Sequence, residues 1–153
     1  EMTSSLVGSE MCIRDRIDTV DFNTRADLVD LQKENEKYIK IALNLFRKGI
    51  QNGSIDEIGR ASSISAFANQ KILYKKQLNR FYKVGMQVGG KGIICAHSGT
   101  VLGLIVSADG DIENMKQSIN EYMGKDFSYL DSVEIINQGI IDRKCDANEF
   151  DKE

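Results

Sequence analysis

Between Gly89 and Val106 the chain reads GGKGIICAHSGTVLGLIV, and few folds accommodate such a stretch. Glycines at 89, 90, 92, 99 and 103 would each weaken a helix, while Ile93, Ile94, Val101, Leu102, Leu104, Ile105 and Val106 favour extended backbone. The pattern predicts two short apolar strands joined by the polar turn His97-Ser98-Gly99-Thr100. Arms so apolar belong in a core. The tip gathers an imidazole, two hydroxyls and a glycine, where exposed backbone amides can face an anion. An ordinary hairpin with a polar turn fits the same spacing, so the tip is a candidate site and no more at this point.

The rest of the chain sets the frame. At 153 residues it is expected to form one domain with a core that needs no metal or disulfide staple. Apolar residues make up 41% and charged residues 28%, the balance of a soluble globular protein, and cytoplasmic placement is the expectation. The net charge of −3, with lysine and arginine scattered, argues against a nucleic-acid surface. No apolar run approaches the roughly 20 residues needed to span a bilayer, so no membrane partner is expected. Cys12, Cys95 and Cys145 are far apart, and there is a single histidine; neither a disulfide framework nor a histidine-based metal site is expected.

Residues 1–16 show no periodicity, and Met11 to Arg16 look like a translated sequencing-library adapter. The segment is therefore left out of the expected fold as non-native, the other reading being a genuine N-terminal tail. On the first reading the natural chain has lost its N-terminal side. Ile17 to Phe22 alternates apolar and polar residues as a half-buried strand does. Leu28, Leu31, Tyr38, Ile41, Ala42, Leu45 and Phe46 mark one face of a long helix that ends at Gly49 to Gly53. Ser54-Ile55-Asp56-Glu57 has the form of a capping box, opening a second helix with Ile58, Ala61, Ile64, Ala68 and Ile72 on one side. Its small residues permit close approach of a neighbour. Ser62, Ser65 and Asn69 share a polar edge, with Gln70 one position round, either a solvated face or a site.

A third helix is expected from about Lys76 to Val88, ended by Gly89-Gly90. After the hairpin, Asp109 or Asp111 caps a helix with Ile112, Met115, Ile119 and Tyr122 on its apolar face, and Gly124 closes it. Val133 to Ile136 is the last strand. The expected domain thus runs over 17–141, followed by a charged tail at 142–153. Strand, helices, strand, strand, helix, strand is the split β-α-β-β-α-β plan: an α+β, ferredoxin-like fold with an antiparallel sheet covered by helices on one face.

Gly59 to Leu73, and above all Ala-His-Ser-Gly-Thr-Val-Leu-Gly-Leu at Ala96 to Leu104, resemble the C-terminal half of the propanediol-utilisation L-threonine kinases of the GHMP kinase superfamily. The resemblance covers about Ile17 to Ile140. It departs from the family where relatives carry prolines after the second helix; here Tyr74-Lys75-Lys76-Gln77 has none. What it implies is transfer of the γ-phosphoryl group of ATP, with magnesium, to the hydroxyl of L-threonine for cobalamin biosynthesis. The main ATP loop belongs to an N-terminal lobe, so the fragment alone is expected to be inactive. Ala96, His97, Ser98, Gly99 and Thr100 match the superfamily's third motif, beside phosphate and substrate. His97 is the implied orienting group or general base. Ser65, Asn69, Gln70, Asp18 and Thr19 are implied cleft-lining residues, and no metal ligand is assigned. The same fold plan also serves non-catalytic ligand-binding and protein-interaction modules.

Overall fold

The computed structural model describes residues 4–10, 24–96 and 101–135. Its elements are β1 (Ser4–Glu10), α1 (Leu28–Asn52), α2 (Ile55–Ala68) with a 3-10 turn over Asn69–Lys71, α3 (Leu78–Gln87), β2 (Gly92–Cys95), β3 (Leu102–Ser107), α4 (Ile112–Met123) and β4 (Tyr129–Ile135). The strands form one sheet in the order β2-β3-β1-β4, with every neighbouring pair antiparallel. This is the expected α+β plan, with helices on one face of a small sheet.

The sheet's second inner strand is not the one the sequence suggested. β1 lies in the segment left out of the expected fold, and it pairs with both β3 and β4 (Val7 opposite Leu104 and Ser132). Strand pairing is made by backbone amides and carbonyls, so composition alone does not disqualify a segment from filling a slot between two strands. The expected strand at Ile17 to Phe22 lies outside the described residues. So do Ile136 and the tail at 142–153.

The hairpin forms as its apolar arms require. Cys95 is opposite Leu102 and Gly92 opposite Ile105. Leu102, Leu104 and Val106 of β3 and Ile93 of β2 point into the core, where they meet Ala66 of α2, Leu78, Phe81 and Val84 of α3, and Ile119 and Met123 of α4. Phe67 and Tyr82 pack edge to face at its margin, ring centroids 5.2 Å apart. The buried stripe of α4 is Ile119 and Met123, with Ile112 and Met115 beside them, whereas the expected Tyr122 is exposed. Steps of three and four from Ile112 lead to Met123, and Tyr122 sits one position round on the wet side. Asp111, not Asp109, caps this helix by accepting from the Asn114 N–H at 3.1 Å.

α1 departs most from its expected burial. Among its described residues only Asn35, Ala42 and Gly49 are buried, and they share the line that meets α2. Tyr38, Ile41 and Phe46, expected to face the core, are exposed, as are Ile39, Leu43 and Ile50. The reason is position in the layers: α1 packs on α2 and makes no part of the central core, so only a narrow seam is covered. Asn35 bridges the two helices, its side-chain amide donating to the Ala68 carbonyl at 2.6 Å. Gly53 closes α1 in the left-handed conformation (φ 64°), and the Ser54 N–H donates to the Gly49 carbonyl at 2.8 Å. The expected capping box is therefore half formed. Ser54 Oγ accepts from the Glu57 N–H at 3.3 Å, but the Glu57 carboxylate reaches Lys48 at 2.8 Å instead of the Ser54 N–H.

Candidate functional site

The geometry of the candidate site begins with how closely α2 lies on β2. A side-chain carbon added at Gly92 would stand 2.0 Å from the Gly59 carbonyl oxygen, and one at Gly59 would stand 2.1 Å from that of Lys91. Only glycine permits backbone to meet backbone at such range. One turn on, Ser63 Oγ donates to the Gly59 carbonyl at 2.9 Å and accepts from the buried Ile93 N–H at 3.0 Å. The buried side of α2 is accordingly made of Gly59, Ala61, Ser63, Ala66 and Ala68, while Ile58, Ile64 and Ile72, expected to form it, are only half-buried. Small residues win this face because bulk would push the helix off the strand.

Two successive contacts, Gly59 with Gly92 and Ser63 with Ile93, show that α2 and β2 run in the same direction. The C-terminal end of α2 therefore lies at the Cys95–Ala96 end of the hairpin. The Ala96 N–H donates to the Val101 carbonyl at 3.0 Å, closing the ladder at the root of the tip. His97, Ser98, Gly99 and Thr100, and likewise Asp18 and Thr19, lie outside the described residues.

Of the residues implied on α2, Ser65 is half-buried and sits one turn before Asn69. Asn69 ends the helix; its carbonyl accepts from the N–H groups of Ile72 (3.1 Å) and Leu73 (2.8 Å), which tightens the chain into the 3-10 turn. Gln70 works as a clamp. Its Nε2 donates to the Ala66 carbonyl at 3.4 Å, and its Oε1 accepts from the Lys75 N–H at 2.9 Å. Arg25 adds a brace from outside, donating to the Ile72 carbonyl at 2.5 Å while its other nitrogens hold Asp27. These contacts fix the loop between α2 and α3 against the end of the helix.

That loop carries the residue that sequence reasoning missed. Lys75 is 8% exposed, and among the described residues no other acidic or basic side chain is buried. It lies within electrostatic reach of Cys95: burial pushes the Cys95 thiol above its ordinary pKa, and the Lys75 charge opposes that rise. Nothing in Tyr74-Lys75-Lys76 distinguishes the buried lysine from the exposed one. The polar edge of α2, the Lys75 loop and the hairpin root thus share one end of the molecule. A shallow groove elsewhere, between α4 and β4 and walled by Lys116, Asn120, Phe127 and Tyr129, holds none of the implied residues. Among the described residues no group of three or more His, Cys, Asp or Glu side chains could hold a metal ion, and no helix is long and apolar enough to cross a membrane.

No protein-family model and no curated protein matches the chain. Solved structures do. The mevalonate kinase of L. major, in complex with R-mevalonate, superposes with a TM-score of 0.65 at 11% identity, covering 88% of this chain and 43% of the kinase. A homoserine kinase from Cytophaga hutchinsonii aligns with a TM-score of 0.49 at 12% identity, over 87% of this chain and 40% of its own. The chain spans less than half the length of either. At such identity the likeness is one of fold: the chain carries the α+β architecture of part of a mevalonate kinase, helices over one face of a small antiparallel sheet.

Proposed function

We propose that the chain is the C-terminal domain of an ATP-dependent small-molecule kinase of the GHMP superfamily, and that the acceptor is the hydroxyl of L-threonine. The observation that supports this best is a conjunction. The Ala96 to Leu104 string, which resembles the third motif of these kinases, falls on the β2–β3 hairpin of a fold shared with a mevalonate kinase. In the reaction the threonine oxygen attacks the γ-phosphorus of ATP, the bond to the bridging oxygen breaks, ADP leaves, and the hydroxyl proton departs to a base or to water. On this reading ATP and magnesium are held chiefly by a preceding lobe, and this domain supplies the hairpin tip, with His97 orienting the acceptor hydroxyl or taking its proton. Positioning contributes much of such catalysis, so a backbone-locked hairpin suits the role.

The test is to sequence the source DNA upstream of the codon for Ile17, express the completed protein, and assay phosphoryl transfer from ATP to L-threonine, L-serine and L-homoserine. Threonine phosphorylation that falls in His97→Ala and Gly99→Val, with folding retained, is the expected result. Absence of an upstream lobe, or no transfer to any of the three alcohols, would replace the kinase reading with that of a ligand-binding module.

A further inference from the structure

The groove between α4 and β4 has one polar wall and one apolar wall, and a volume of about 540 Å³, in the range of small-molecule sites. Glu113, Lys116, Gln117 and Asn120 recur at three- and four-residue steps, so all four stand on one face of α4. Opposite them are Phe127 and Leu130, both half-buried against the central core. Tyr129 stands at the rim, its hydroxyl donating to Asp131 Oδ2 at 2.6 Å. Gly124 closes the end of the groove. A side-chain carbon there would lie 2.5 Å from the Asn120 carbonyl oxygen and 2.6 Å from its Oδ1, so glycine is what leaves that amide its place.

The polar wall has hydrogen-bonding capacity that the fold does not use. Among the described residues the side chains of Lys116, Gln117 and Asn120 make no hydrogen bond. The Lys116 side chain is only 23% exposed, yet its ammonium stands 3.6 Å from Glu113 and 4.0 Å from Asp131, within reach of charge and beyond that of a hydrogen bond. One cation thus sits between two carboxylates, beside two amides and across from a hydrocarbon wall. A simple anion would approach Lys116 against the repulsion of Glu113 and Asp131, and a simple cation would approach the carboxylates against that of Lys116. A zwitterion meets opposite charge at both ends.

We propose that this groove is a binding site for a free α-amino acid with an apolar side chain. The ligand's carboxylate accepts from Lys116 and from the Gln117 and Asn120 amides, its ammonium faces Glu113 and Asp131, and its side chain lies on Phe127 and Leu130. The assignment is independent of the kinase reading, because the groove holds none of the residues implied in phosphoryl transfer.

The test titrates the isotopically labelled chain with L-phenylalanine while backbone amide resonances are followed. Saturable shifts at Lys116, Gln117, Asn120, Phe127 and Leu130 are expected, with a midpoint of a few millimolar, the scale for a ligand of about a dozen heavy atoms. Phenylpropionate, which lacks the amine, and phenethylamine, which lacks the carboxylate, should each bind at least about tenfold more weakly. Lys116→Met should weaken phenylalanine binding by about tenfold. Asp131→Asn should weaken phenylalanine and leave phenylpropionate bound no more weakly than before, since it removes a repulsion. Exposed ion pairs contribute little to folding, so both variants are expected to melt within about 4 °C of the parent. Equal binding of phenylalanine and either analogue, undiminished binding by Lys116→Met, no saturation below about 50 mM, or shifts that gather at Ser65, Asn69 and the hairpin root instead of the groove each overturn the proposal. The analogue series uses the parent chain and decides the matter by itself if a variant does not fold.

Discussion

Gly92→Ala puts the contact between α2 and β2 to its most direct trial. The added carbon would lie 2.0 Å from the Gly59 oxygen and 2.4 Å from the Gly59 Cα, all backbone, so no side chain can swing aside. Restoring a normal carbon–oxygen separation of about 3.2 Å requires helix and strand to part by about 1.2 Å. The Ser63 Oγ bond to the Ile93 N–H, 3.0 Å long, would then exceed hydrogen-bonding range and leave a buried amide without its acceptor. Overpacking of this kind costs about 1–3 kcal/mol and an unsatisfied buried amide about 1–3 more, so about 2–6 kcal/mol in all, centred near 4, is expected. Urea unfolding followed by circular dichroism reads this as a midpoint lower by about 2 M. Gly53→Ala is the control: nothing lies within 4 Å of its added carbon, and only its φ of +64° penalises a side chain, by about 1–2 kcal/mol. Ser63→Ala isolates the lost bond, and its effect should not add fully to that of Gly92→Ala because both act on one gap. A Gly92→Ala chain within about 1 kcal/mol of Gly53→Ala would refute the backbone seam.

Three further outcomes are expected. Asp27, Glu34, Glu57 and Asp131 are held below the ordinary carboxylate pKa, chiefly by side-chain hydrogen bonds from Arg25, Lys71, Lys48 and Tyr129 respectively. Their contribution is present above about pH 4 and lost as acid protonates the folded state, so the urea midpoint should fall between pH 6 and pH 3, and less steeply in Glu34→Gln; a flat profile would deny these pairs any role. The reading of residues 1–16 as foreign predicts that a chain beginning at Ile17 keeps its four-stranded sheet, with Ile17 to Phe22 taking the place of β1; loss of amide protection along β3 would instead make Ser4–Glu10 the indispensable strand. The uncovered apolar side of α1 should make the chain self-associate at high concentration, and Phe46→Lys, at a residue 46% exposed, should reduce that in sedimentation runs without lowering the melting temperature; an unchanged distribution would clear this face.

The sequence was most legible where local chemistry decides. The hairpin arms, the Gly53 stop, the Ser54 cap and the stripe from Ile112 to Ile119 all follow from short-range rules, and the structure has them. It was least legible where a neighbour decides. Whether Tyr38 or Phe46 is buried depends on which layer α1 occupies, and periodicity cannot tell a core-facing helix from one laid over another helix. The small face of α2 was visible as small residues, but that Gly59 and Ser63 meet β2 by backbone and hydroxyl is a fact of the pairing. At the site, the polar edge of α2 was read as either a solvated face or a site; Gln70 is in fact engaged in bracing the loop, and the buried cation beside it gave no signal because burial of one lysine out of two adjacent ones is set by tertiary contacts alone.

The place of β1 also bears on how the sheet is completed. The partners of this inner strand, Leu102–Ser107 and Tyr129–Ile135, follow it in sequence by nearly the whole length of the domain. Contacts so distant in sequence close late and slowly. Until then the α2–β2–β3 unit must stand with the inner edge of β3 unpaired, an open template for any passing extended segment. The sheet is thus completed by a strand that fits between two others, and a chain that supplies a different strand, or meets one from a neighbour, is expected to complete it in another way.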